Sequence, residues 1–404
     1  MNNWSINKKG YDPETHNHFA PVYTVGNGYM CCRGFMEEQR EGVAGLGGIY
    51  MAGVFGRASY KPWKGEGQEL VNLPNFFWVD IDIDGKPLVL SPENLRGYTE
   101  TLDVKNAVFT RSYQYFLNGK PLAEFTFTRF LSRADIRIAG QQITVTPLAD
   151  GLTVQLRLGT DPGVTNLNEV SSEPYPVQPG KKHWDILSRD AESLRVCVRG
   201  GEKTELAFVQ RVTAEGVEVS PGEYAITARV NKPAGEPVTV QKLVSVYKSD
   251  TGSVPLPADG PLAKARAKME NAPGYSEVLS AHQKAMSAFW ESADVRVEGD
   301  DETQISLRYN ILQLEQSFPR HTSEVSIGAR GLTGEMYEGS VFWDTEIFML
   351  PFFTMTDPAA AKNLLMFRYH TLPEAREHAA SNWFKGAMYG WQVNARGVEQ
   401  TPQG

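Results

Sequence analysis

FFWVDIDIDGKPLVL, residues 76–90, sets the fold class. Val79, Ile81 and Ile83 alternate with Asp80 and Asp82. That period of two puts the apolar side chains on one face of a strand. Asp84-Gly85 follows, a pair suited to the left-handed backbone of a two-residue turn. The stretch therefore reads as a hairpin with one buried face. Working outward, AEFTFTRFLS (123–132) sets Ala123, Phe125 and Phe127 against Glu124, Thr126 and Thr128. LTVQLRLG (152–159), ELAFVQRV (205–212) and VTVQKLVSVY (238–247) keep the same period. Asn118-Gly119, Asp150-Gly151 and Asp161-Pro162-Gly163 punctuate these runs as turns. Many short strands broken by turns predict a large β-sandwich over residues 1–253.

The pattern changes after Pro255-Leu256-Pro257. Residues 260–272 and 274–293 are rich in helix formers and lack alternation, so 254–298 reads as a helical linker. A helix is expected from Asp301, with Gln304 as its capping partner and Leu307, Ile311, Leu314 and Phe318 as its apolar stripe. Asp357 with Pro358 opens another helix. Thr371 and Glu374 form a capping box for a third. Residues 299–404 are therefore expected to be helical throughout, as the first part of an all-α domain. GVEQTPQG (397–404) carries no closing element, so the chain reads as a piece of a longer protein whose helix faces are unburied, which predicts aggregation or a partly disordered C-terminal third.

With 404 residues, 22% of them charged, and a net charge of −8, two domains are the prior and a nucleic-acid partner is disfavoured. The first twenty residues lack the apolar core of a secretory signal. The longest apolar run, 347–353, contains Pro351 and is too short to span a membrane. A cytoplasmic location is expected. The cysteines Cys31, Cys32 and Cys197 make no disulfide framework. His16-x-His18 has no second pair at metal-ligand spacing, so no metal is expected.

GEMYEGSVFWDTEIFMLPFF, residues 334–353, carries the candidate chemistry. Asp344 has a bland explanation as an N-cap of the helix that follows, and Trp343 as core. The functional explanation is a sugar. An indole covers the apolar C–H face of a pyranose, and a carboxylate accepts charge-assisted hydrogen bonds from two neighbouring hydroxyls. The helix dipole would help keep Asp344 ionised. Gly331, Gly334 and Gly339 let the preceding loop approach a ligand closely. Tyr337, Phe342 and Trp343 give it an aromatic lining.

These residues resemble the signature of glycoside hydrolase family 65, the maltose, kojibiose, nigerose and trehalose phosphorylases. The resemblance runs in order through VGNGYMCCRG (25–34), GGIYMAGVFG (47–56), YTETLDVKNAVFTRSY (98–113), RFLSRADIRIA (129–139), GARGLTGEMYEGSVFWDTEIFMLPFF (328–353), NLLMFRYHTLPEAREHA (363–379) and KGAMYGW (385–391). It implies a β-super-sandwich, a helical linker and the start of an (α/α)6 barrel. It also implies substrate-binding roles: Trp343 and Asp344 at the glucose of the cleaved end, Phe342 flanking it, Tyr337 on the acceptor side, and Trp391 as a further sugar contact. Two stretches depart from the family pattern, Ser340 where histidine is common and Gly390-Trp391-Gln392 where Pro-Trp-Glu is common. The implied reaction is inverting phosphorolysis of an α-glucosyl disaccharide, with inorganic phosphate as co-substrate, no cofactor, and a homodimer as the assembly. The implied general acid is a glutamate beyond residue 404, so no catalytic residue is assigned within the chain. Neither Glu346 nor Glu399 matches its place. The alternatives are an inverting α-glucosidase of the same architecture, with water as nucleophile, and a non-catalytic carbohydrate-binding protein.

Overall fold

A computed structural model describes residues 3–38, 47–57, 68–166, 182–199, 204–249 and 260–401. The alternating runs become two antiparallel layers. Among the described residues the larger layer has nine strands, in spatial order Ser5–Lys9, Leu95–Asp103, Val108–Leu117, Lys120–Leu131, Ile138–Pro147, Val238–Lys248, Glu205–Ala214, Ser193–Val198 and Trp184–Arg189. A five-stranded layer, Glu218–Pro221, Ala225–Val230, Val154–Gly159, Val79–Ile83 and Lys86–Pro87, faces it. The opening hairpin turns at Asp84 (φ 50°) and Gly85 (φ 73°), both left-handed as the sequence requires. Between the layers, Ile81, Leu156 and Leu158 pack with Phe125, Phe127, Ile143 and Val145. Phe125 lies opposite Val145 and Phe127 opposite Ile143, the cross-strand pairing that stabilises a sheet face.

The linker forms helices α1 (Gly260–Glu270) and α2 (Tyr275–Ala293). Leu262, Ala265, Met269, Tyr275 and Val278 cover Phe130, Ile138, Ala207 and Leu243 of the large sheet. His282 joins α2 to the sheet: its Nδ1 accepts from the Arg133 N–H at 3.1 Å, and its Nε2 lies 2.6 Å from the Asn106 carbonyl. Helix α3 (Asp301–Ser317) follows, one residue out of register with the capping expected from sequence. Asp300 is the cap and accepts from Thr303 N–H at 2.9 Å, while Gln304 turns back to the Val295 carbonyl and the Val297 N–H.

A run of buried contacts orients α3. Residues 25–38 lie on the large sheet and meet the end of this helix: Gly28 N–H donates to the Gln316 carbonyl at 2.8 Å, as does Cys31 Sγ at 3.1 Å. Gly28 has φ +79°, and a Cβ there would lie 1.8 Å from the Phe318 carbonyl oxygen, so this position accepts only glycine. The same segment ends in a buried ionic cluster. Glu37 pairs with Arg111 at 2.6 Å and Arg129 at 2.9 Å, and Glu38 accepts from Arg111 at 3.0 Å and from the Tyr113 hydroxyl. Burial alone would raise the Glu37 pKa, but Arg129 and Arg111 hold it below the usual carboxylate range. The adjacent thiols point apart, Cys31 toward Tyr50 and Leu70 and Cys32 into the main core.

Beyond α3 come α4 (Leu350–Thr356), α5 (Pro358–His370) and α6 (Leu372–Ser381). Asp357 caps α5 as expected, accepting from Ala360 N–H at 3.0 Å. Thr371 does not cap α6; its hydroxyl donates to the Phe367 carbonyl at 3.0 Å, because α5 ends one residue earlier and leaves carbonyls open. The expectation of helix throughout is also corrected. Residues 318–335 contain no helix or strand, and Val341–Phe342 pairs as a short ribbon with Gln392–Val393. The cause is local: glycines at 328, 331, 334, 339, 386, 390 and 397 fall in these stretches. Phe348, Met355, Tyr369, Trp383 and Phe384 are all more than half exposed on this part of the chain.

Two measurements check this account. Arg111→Leu, which leaves Glu37 and Glu38 short of a guanidinium, is expected to lower the unfolding free energy by about 3–5 kcal/mol in chemical denaturation, while loss of the exposed Arg199–Asp185 pair changes it little. Burial pushes His16, His282 and His321 down to about 4 from an ordinary value of 6.5. The unfolded chain then binds more protons between those values, so their contribution is complete above pH 6.5 and is lost as pH falls toward 4. Melting temperature against pH is expected to fall across that window, and His282→Gln to flatten the slope.

Candidate functional site

The five sequence candidates meet at the ribbon. Phe342 is buried at its centre, opposite Gln392. Its ring stands edge-on to Tyr337 at 5.4 Å and to Trp391 at 5.6 Å, and Trp391 is edge-on to Trp343 at 5.5 Å. Tyr337, Trp343 and Trp391 are 37%, 42% and 49% exposed. Three partly open aromatic rings thus surround a buried fourth, and an exposed aromatic face is the kind of surface that the C–H face of a sugar covers.

Asp344 stands beside Trp343 and does not behave as a cap. Its backbone is already helical (φ −51°, ψ −35°), and its side chain makes no capping hydrogen bond. The backbone explains why: residues 345–349 form a π-helical turn in which the N–H groups of both Glu346 and Ile347 lie 3.0 Å from the Trp343 carbonyl. Such turns mark departures from regular helix where side chains are re-aimed, often at functional sites. The bland explanation of Asp344 thus fails on geometry.

The neighbouring carboxylates are engaged. Glu346 forms a two-pronged pair with Arg368 of α5 at 2.7 and 3.0 Å, and Arg368 also donates to the Phe342 carbonyl at 3.1 Å. The Tyr389 hydroxyl donates to the Arg368 carbonyl at 2.6 Å. Arg368 thereby fixes the ribbon, the π-turn and the 389–391 segment together. Thr345 anchors the turn from below, its hydroxyl donating to the Ile327 carbonyl at 2.8 Å. Glu335 accepts from the Tyr50 hydroxyl of the sandwich at 3.0 Å. Glu399 accepts from Thr401 N–H at 2.7 Å and fills the space where a Cβ on Gly390 would fall, 2.0 Å from its Oε2.

The loop carrying Tyr337 is strained. Tyr337 (φ 59°), Glu338 (φ 57°) and Gly339 (φ 72°) are successive left-handed residues. For the two residues with a Cβ this costs about 1–2 kcal/mol each. Gly339 has a reason to be glycine beyond its φ, because a Cβ would lie 2.9 Å from Leu70 of the sandwich. Strain of this kind persists where surrounding contacts over-determine it, and it clusters at ligand sites. The two departures noted in sequence, Ser340 and Gln392, touch each other: Gln392 Nε2 donates to Ser340 Oγ at 3.1 Å and to Glu338 Oε2 at 3.0 Å. Sequence reasoning assigned no role to Arg368, Tyr50 or Glu338. A lone arginine within the apolar NLLMFRYH was the available signal for the first.

Among the described residues no group of three His, Cys, Asp or Glu side chains is placed to hold a metal, and no helix is long and apolar enough to cross a membrane.

Comparison with known proteins gives a consistent set of likenesses. The description "Glycosyl hydrolase family 65, N-terminal domain" matches residues 6–289, and "Glycosyl hydrolase family 65 central catalytic domain" matches residues 308–404. A kojibiose phosphorylase of Halothermothrix orenii is 31% identical, with 99% of this chain and 51% of that protein aligned. An α,α-trehalose phosphorylase of Thermoanaerobacter brockii is 26% identical over 96% of this chain and 52% of its own length. A solved structure of a kojibiose phosphorylase candidate from the human microbiome superposes with a TM-score of 0.84 at 22% identity, covering 98% of this chain and 52% of that one. The chain spans about half the length of the curated relatives it matches.

Arg368→Gln, which leaves Glu346 half-buried without its guanidinium, is expected to lower stability by about 3 kcal/mol. It is also expected to change the fluorescence of Trp343 and Trp391, read against a variant lacking both rings.

Proposed function

The chain belongs to glycosyl hydrolase family 65, and from that premise we propose that its ribbon and π-turn form the glucose-binding floor of an α-glucoside phosphorylase. The observation that carries this reading is Asp344. It is a half-buried carboxylate next in sequence to the exposed Trp343, with no capping bond, while Glu346, Glu335 and Glu338 near it in sequence all hold protein partners. Two hydroxyls of a glucosyl unit would satisfy both of its oxygens, and Trp343 would cover the ring. Tyr337 and Trp391 extend the aromatic surface to the acceptor sugar.

In the whole protein the proposed reaction transfers the glucosyl unit from an acceptor oxygen to phosphate. Phosphate attacks C1 from the face opposite the departing oxygen, the C1–O bond to the acceptor breaks, and a carboxylic acid supplies the proton that the acceptor oxygen takes up. An α-glucoside then gives β-glucose 1-phosphate. No carboxylate described here is assigned as that acid, since Asp344 is given to sugar binding. It is proposed to lie in the part of the longer relatives that this chain does not span, with the rest of an (α/α)6 barrel begun by α3 to α6. The exposed Phe348, Met355 and Tyr369 suit such a continuation. The sandwich (1–253), linker (254–298) and barrel portion (299–404) are the proposed units. Kojibiose and trehalose phosphorylases among the relatives favour phosphorolysis over hydrolysis.

Calorimetric titration of the 404-residue chain with glucose and with α-linked glucosyl disaccharides tests the floor. Asp344→Asn is expected to weaken glucose binding ten- to a hundredfold, about 1.5–3 kcal/mol, with an unchanged melting temperature. Equal binding by Asp344→Asn and wild type would overturn the assignment. Phosphate-dependent release of glucose 1-phosphate by the whole protein tests the reaction.

A further inference from the structure

We infer that Gln392 is a positioning residue for the acceptor side, holding the left-handed turn at residues 337–339 so that Tyr337 stays among the sugar-facing rings. The inference rests on the acceptor-side reading of Tyr337 and Trp391 given above.

Gln392 is only 5% exposed and Glu338 8%. The two hydrogens on Nε2 have two acceptors, Glu338 Oε2 at 3.0 Å and Ser340 Oγ at 3.1 Å. The amide orientation is set by chemistry, because its oxygen turned toward the carboxylate would place two acceptors together. With both hydrogens used inside the protein, the Gln392 amide nitrogen has none left for a sugar. Its influence passes through its neighbours. Glu338 follows Tyr337 in the strained turn, and Trp391 precedes Gln392 on the ribbon. One side chain thus ties together the backbones that carry two aromatic rings on either side of Phe342.

The turn has other supports as well. Glu335 is held by Tyr50, and Gly339 rests on Leu70 of the sandwich. Arg330 lies over the Tyr337 ring at 5.6 Å. Gln392 supplies a contact to the turn from the ribbon itself, and the residue type matters. A glutamate at 392 would set two carboxylates about one hydrogen-bond length apart in a buried site, where like charges repel strongly. The amide at 392 and the acid at 338 are therefore a matched pair, and exchanging them keeps the match with the donor reversed.

The test uses Gln392→Glu, Glu338→Gln and the exchanged double variant in the 404-residue chain. Affinities for glucose and for an α-linked disaccharide are read by titration, and melting temperatures are read without sugar. Gln392→Glu is expected to lower disaccharide affinity about tenfold or more while glucose affinity stays within about twofold. The double variant is expected to recover most of the lost disaccharide affinity and melting temperature, a non-additive return that unlinked sites do not give. Equal losses for glucose and disaccharide, no loss in Gln392→Glu, or a double variant as impaired as the sum of its parts would each overturn the inference. If the wild-type chain binds neither sugar, the floor assigned to Asp344 and Trp343 fails, and the acceptor-side role with it. The melting temperatures then decide the Gln392–Glu338 pairing by itself.

Discussion

The buried cluster of Glu37, Glu38, Arg111 and Arg129 is the constraint on which the rest of the arrangement depends. Charges in so dry a place are tolerable only when paired and hydrogen-bonded, so the segment 25–38 has a single seat on the large sheet. Phe127 and Phe109 flank the two guanidiniums at 4.4 and 4.8 Å and complete the seat. Once seated, the segment presents Gly28 and Cys31 to the end of α3. That contact fixes where the chain leaves the helix, and so where the loop 318–340 begins. Glu315 strengthens the junction, paired with Arg133 of the sheet and with Arg320 of the loop. A deeply buried cluster is thus linked to the candidate site through a chain of contacts, with no residue of the cluster near it in sequence.

The floor itself separates support from recognition. Arg368, Thr345, Tyr50 and Gln392 use their polar atoms on the protein, and their net effect is to hold backbone in uncommon conformations. Asp344, half-buried and without a capping bond, and the partly exposed Trp343, Trp391 and Tyr337 are what remain. This division suits a sugar, which needs a few well-placed acceptors and a flat apolar surface, both pre-organised so that little ordering is left to binding.

Much of the sandwich was legible because its signal is local. Alternation in residues 79–83 and 123–131 dictates which side chains are inward, and the Asp84-Gly85 turn dictates where the strand reverses. The candidate site residues stood out for a different reason, since FWDTE combines an indole and a carboxylate whose joint chemistry is narrow. Capping was read less well. Asp300 rather than Asp301 caps α3, and Thr371 bonds backward to α5, because each side chain chose among several nearby backbone groups by distances that sequence does not carry.

The sequence by itself determined the two-layer β architecture, the change to helix after residue 257 and the net charge of −8, and it picked out Phe342, Trp343, Asp344, Tyr337 and Trp391 as site candidates. Those follow from periodicity, turn chemistry, motif order and charge. Only the tertiary structure decided that Asp344 makes no capping hydrogen bond, that Glu346 is bound to Arg368, and that Gln392 serves Glu338. The partners in each case are separated by 22 to 54 positions or depend on a π-turn, and hydrogen bonding is decided by ångström-scale distances between groups that only folding brings together.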